Sequence, residues 1–105
     1  MLLDSAAVRA AAGAPEVWLV GEMDMATAEV LLAPAQQLVA DGHRHVVLQC
    51  ADLSFCDSQG LKAMVDLLDA VEPDGSVTLA GPSAMLVTML TITGLLDEFV
   101  VRVLD

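Results

Sequence analysis

Residues 45–71 read HVVLQCADLSFCDSQGLKAMVDLLDAV, and two periods meet inside them. Residues 46–50 form a short apolar, β-branched run of the kind that becomes a buried strand. From Ser58 the pattern turns helical: Leu61, Met64, Leu68 and Val71 recur at three- and four-residue spacing, and Pro73-Asp74-Gly75 closes the helix near Val71. Residues 17–20, 77–80 and 99–104 are further runs of strand type, and the segments between them carry helical period or helix punctuation. Strands alternating with helices pair in parallel under a cover of helices. The expected fold class is α/β, with a mixed, mostly parallel sheet of four to five strands and three to four helices.

The first helix is expected to open at residues 25–27 and to end at Asp41-Gly42, with Leu31, Ala35, Leu38 and Val39 on its inner side. Pro34 removes a hydrogen bond from its middle, which predicts a kink or a restart there. The third helix starts at Ser83 and stops at Gly94. Residues 5–11, followed by the Gly13-Ala14-Pro15 turn, fold back as an antiparallel edge strand. At 105 residues with 56% apolar content, the chain is read as one domain over residues 1–105.

Fifteen acidic against four basic residues give a formal charge of −11. Such a surface repels nucleic-acid phosphates and anionic lipid headgroups, and suits a basic protein surface or a cation. Neither nucleic acid nor membrane is expected as a partner. The start, MLLDSAAVRAAAG, lacks the basic residue and apolar block of a secretory signal, so a cytoplasmic location is expected. Cys50 and Cys56 have neither CxxC spacing nor scaffold density and are read as packed, reduced thiols.

Ser58 stands where an N-cap serine is expected, its oxygen accepting from an unpaired backbone N–H of the first turn. At 3.6 residues per turn, Ser58, Lys62, Asp66 and Asp69 share one side of the helix, away from Met64 and Leu68. The hydroxyl therefore heads a polar stripe. Gly60, without a side chain, is expected to leave the first turn open to an approaching protein. A phosphate on Ser58 would meet favourable helix-terminal donors and would add charge beside Asp57 and, if the loops adjoin, Asp24.

GEMDMATA at residues 21–28, HVVLQCADLSFCDSQGL at 45–61, VTLAGPSAMLVTMLTITGL at 77–95 and the closing FVVRVL together resemble the STAS-domain family of bacterial anti-sigma factor antagonists. The similarity runs from about Pro15 onward, and the Asp-Ser-x-Gly-Leu element after the V-V-L strand carries most of it. The resemblance implies a single STAS domain that works by binding, without enzymatic activity, cofactor or metal. An anti-sigma factor that is also a serine kinase would phosphorylate Ser58 and release the modified form, and a metal-dependent serine phosphatase would restore binding. The unmodified protein would hold the anti-sigma factor and free a sigma factor. Asp24 and Asp57 would then flank the acceptor, and Gln59, Gly60, Lys62 and Asp66 would complete the partner-binding surface. Two positions depart from the usual family pattern: Gln59 stands for a second serine, and Lys62 for a glycine.

The rival reading is a STAS subunit held permanently in a larger assembly, such as a lipid-transport complex or a signalling scaffold, with Ser58 only a cap. Met85, Leu86, Val87, Met89, Leu90 and Ile92 encircle the third helix with almost no charge, so some of that surface should be exposed, and a homodimer through it is the self-association to test. His43 and His45 have no third ligand near in sequence. The nucleophile-elbow pattern and the Gly-rich phosphate loop are both missing, which leaves a Ser58 hydrolase or a nucleotide hydrolase without support.

Overall fold

In a computed structural model, which describes residues 5–9 and 14–103, the chain runs β1 (Ser5–Arg9), β2 (Glu16–Met23), α1 (Ala28–Ala40), β3 (His45–Cys56), α2 (Ser58–Val71), β4 (Ser76–Ala80), α3 (Ala84–Ile92), a 3-10 turn (Leu96–Glu98) and β5 (Val100–Arg102). The sheet order is β1-β2-β3-β4-β5. Only the β1–β2 pair is antiparallel, with Val8 opposite Val17; the remaining pairs are parallel. The expected edge strand is present over its first five residues, and the rest of that segment, with Leu104 of the expected last strand, lies outside the described residues.

Period-two alternation puts Val17, Leu19 and Met23 of β2, Val46, Leu48 and Cys50 of β3, and Val77 and Leu79 of β4 into one buried cluster. Leu31, Leu32 and Ala35 of α1, Leu61, Met64, Leu67, Leu68 and Val71 of α2, and Leu86 and Leu90 of α3 fill it from the helices. α3 is only partly absorbed, leaving Ile92 79% and Met85 45% exposed. Leu38 and Val39 are half-buried against the cluster rather than within it.

Two expectations change here. α1 runs unbroken through Pro34, without a restart. The carbonyl that loses its donor belongs to Val30, on the outer side of the helix and 69% exposed, where water can satisfy it. β3 is also far longer than its apolar stretch, continuing to Cys56. Beyond Gln49, the last β3 residue paired with β4, it pairs with β2 alone, across register shifts between Trp18 and Val20 and between Gly21 and Glu22. That two-stranded extension carries Asp57 and Ser58 past the end of β4.

Cys50 and Cys56 are free and buried. Burial pushes the Cys50 thiol up to about 12, with Cys56 adding to the effect, and pushes Cys56 up to about 11, with Asp57 adding. Both values exceed that of an unfolded thiol, so the native state keeps protons that the unfolded chain loses. Stability should be complete below pH 9 and fall between pH 9 and 12, by about 1 kcal/mol per thiol for each unit at first. Urea unfolding at pH 8 and pH 10 measures the slope, and replacing both cysteines by alanine should flatten it.

Candidate functional site

Three features converge where β2 and β3 end. Asp57 N–H donates to the Met23 carbonyl at 3.1 Å, which ties the start of α2 to the start of the Asp24 loop. Within that loop, Asp24 Oδ1 accepts from Ala26 N at 2.9 Å and Thr27 N at 3.0 Å. Thr27 Oγ1 accepts from Asp24 N at 2.9 Å and donates to the Glu22 carbonyl at 2.6 Å. Asp24 thus has a structural task, organising the turn that launches α1. The two loops adjoin, which is the condition under which Asp24 would stand near a charge on Ser58.

The cap of α2 is Asp57, not Ser58. Its Oδ1 accepts from Gln59 N and from Gly60 N, both at 2.9 Å, in extended backbone (φ −94°, ψ −174°). Asp57 has a side chain long enough to reach both donors and a charge that suits the positive helix end. Ser58 is the first helical residue, exposed, and its hydroxyl makes no hydrogen bond with the described residues. Asp57→Ala should therefore cost about 1–2 kcal/mol and Ser58→Ala close to nothing, as urea denaturation of the two variants would measure.

Gly60 also works differently from the expectation. It is buried, and a Cβ there would lie 2.7 Å from the Met23 carbonyl oxygen, 2.8 Å from Met23 Cγ and 3.0 Å from Cys56 Sγ. The glycine lets the first turn of α2 lie against the ends of β2 and β3; it opens nothing to solvent.

Lys62, Asp66 and Asp69 are exposed, as the helical projection required, and so is Gln59. Lys62 Nζ and Asp66 Oδ2 pair at 3.2 Å, with side chains 68% and 57% exposed. Alongside them runs a groove of ≈ 250 Å3 between α1 and α2, lined by Met25, Ala28, Glu29, Gln59, Lys62, Ala63 and Asp66. Met25 at its rim is 80% exposed. Read from sequence as part of a helix start, Met25 instead lies in the Asx turn at Asp24, ahead of the first residue of α1 at Ala28.

The remaining candidates lie elsewhere. His43 and His45 are exposed at the opposite end of β3, where they line a larger cleft of ≈ 640 Å3 with Arg44 and Asp74. His45 Nδ1 lies 2.9 Å from Ser76 Oγ. Arg44 Nη2 donates to the Val71 carbonyl at 2.9 Å and the Ala70 carbonyl at 3.3 Å, serving the C-terminal acceptors of α2. Among the described residues no three His, Cys, Asp or Glu side chains are grouped to hold a metal, and no helix is long and apolar enough to cross a membrane.

The STAS-domain profile matches residues 5–104. The chain belongs to the STAS-domain family. No protein of curated function matches this STAS domain by sequence. By fold it is similar to an anti-sigma factor antagonist from Mycobacterium paratuberculosis, with 23% identity, a TM-score of 0.85, and 95% of this chain and 86% of that one covered. It is also similar to the anti-sigma factor antagonist SpoIIAA in its unphosphorylated form, with 20% identity, a TM-score of 0.76 and coverage of 93% and 88%. The phosphorylated form of the Bacillus cell fate determinant SpoIIAA is similar at 20% identity, a TM-score of 0.72 and coverage of 93% and 91%. Among the described residues, five strands and three α-helices in this order make the shared α/β architecture.

Proposed function

We propose that this STAS domain is an anti-sigma factor antagonist of the partner-switching kind, which acts in the cytoplasm by binding and catalyses nothing itself. Unmodified, it docks on an anti-sigma factor that is also a serine kinase, through the Asp24 loop, the first turn of α2 and the stripe through Lys62 and Asp66, and so frees a sigma factor. The kinase transfers phosphate to Ser58, the modified form leaves, and a metal-dependent serine phosphatase restores it. The observation that carries this reading is the division of labour at the junction: Asp57 caps α2, and the Ser58 hydroxyl is left exposed, without a hydrogen-bond partner among the described residues. A serine needed as a cap could not be modified without cost to the helix; this one can. The fold shared with SpoIIAA, a protein known with and without phosphate, supports the same reading.

Docking next to a groove rimmed by Met25, Glu29 and Asp66 suits a partner with basic residues around an apolar recess. The test is incubation with candidate anti-sigma kinases and ATP, followed by mass spectrometry of the peptides. Phosphate on Ser58, with loss of the complex, is the expected result. No phosphate from any partner that binds would leave a constitutive STAS subunit as the better description.

A further inference from the structure

Resting on Ser58 as the phosphate acceptor, we propose that Lys62 is the residue that pairs with the phosphate, and that in doing so it gives up Asp66. Phosphorylation would then alter the docking surface two turns beyond the modified serine.

The first reason is that the obvious anion donors are taken. Gln59 N and Gly60 N are bonded to Asp57 Oδ1, and Leu61 N donates to the Asp57 carbonyl at 2.9 Å. A phosphate on Ser58 arrives beside an occupied helix end and a carboxylate, and needs a cation. Around it are Asp57 before the helix, Asp24 and Glu29 on the α1 side, and Lys62 and Asp66 on α2 itself. Lys62 is the cation in that set.

The second reason is direction along the helix. Ser58, Lys62 and Asp66 are spaced four residues apart on one continuous helix, so Lys62 has an acidic neighbour one turn below and would gain another one turn above. Helical side chains lean toward the N-terminus, and an acid placed four residues before a lysine pairs better than one placed four residues after it. Lys62 and Asp66 stand in the weaker order. Phosphoserine at 58 would stand in the stronger one, with nearly twice the charge and three acceptor oxygens. The Lys62–Asp66 pair is mostly solvent-exposed, so little holds it against that competition.

The consequence is a wider change of surface. In the unmodified form the groove beside α2 presents a neutralised Lys62–Asp66 pair; after transfer it presents Asp66 without its counter-ion, next to Met25 and Gln59. A partner shaped to the paired state meets a rearranged stripe as well as the phosphate.

The test needs no kinase: phosphoserine is inserted at position 58 during synthesis, and the second ionisation of the phosphate is followed by 31P NMR in four proteins. These are the parent, Lys62→Gln, Asp66→Asn and the double variant, with circular dichroism confirming the fold of each. Lys62→Gln should raise the midpoint by about 0.3 pH units, a factor of two. Asp66→Asn should lower it, and more so when Lys62 is present than in the Lys62→Gln background, because the competitor for the ammonium has gone. An unchanged midpoint in Lys62→Gln, or an equal Asp66→Asn shift in both backgrounds, overturns the proposal. The outcome is separate from that of the kinase assay: the ionisation series judges Lys62, whereas failure of every kinase to modify Ser58 removes the switch and leaves the Lys62 result standing.

Discussion

Ser58→Glu should bind the partner kinase about a hundredfold more weakly than the parent while melting within about 2 °C of it. The two halves of this result have separate causes. Stability is spared because position 58 is the first residue of α2, exposed, and a negative charge there complements the helix dipole. Affinity falls because the new carboxylate sits beside Asp57 on the proposed docking face, and a like charge or a desolvated anion across an interface costs several kcal/mol; a hundredfold corresponds to about 2.7 kcal/mol. Ser58→Ala is the control, retaining parental affinity but escaping phosphorylation. Titration calorimetry of the three proteins against the kinase settles the matter, and a Ser58→Glu protein that binds as well as the parent would sink the proposed switch.

Gly75→Ala should cost about 3 kcal/mol and lower Tm by roughly 15 °C. A Cβ on Gly75 would overlap the Arg44 carbonyl oxygen and lie 2.7 Å from both Cβ and the carbonyl oxygen of Val71. None of these atoms can step aside. The Arg44 carbonyl accepts from Ser76 N at 2.8 Å, and the Val71 carbonyl accepts from Gly75 N at 2.7 Å and from Arg44 Nη2 at 2.9 Å. Any shift that admits the methyl group breaks the bonds that close the α2-to-β4 connection. Thermal unfolding by circular dichroism is the measurement; a Tm within a few degrees of the parent would mean that this connection is far softer than its bonding implies.

Much of the fold was readable because single residues met one demand at a time. The β-branched runs marked β2, the first half of β3, and β4, and the bounds of α2 matched because Leu61, Met64, Leu68 and Val71 all face the core. Reading failed where two residues competed for one role or where a long-range neighbour decided. Asp57 and Ser58 are both good caps, and only the extended approach of β3 shows which one reaches Gln59 N and Gly60 N. Gly60 was read as open because local sequence does not reveal that Met23 and Cys56 lie against it. The second half of β3 is only partly buried and pairs with one neighbour, so it has no continuous apolar signature. The 3-10 turn at Leu96–Glu98 was not foreseen; it places Phe99, only 5% exposed, just before β5. The candidate site itself was legible as a stripe of polar residues, whereas Met25 emerged only once its loop could be placed.

The single bond from Asp57 N–H to the Met23 carbonyl has a mechanical meaning. It ties the two loops together above a buried Gly60, so in the proposed switch the charge added at Ser58 would rest on a braced platform. A signal of the proposed kind would therefore be written on the skin of the molecule, where a docking protein can read it.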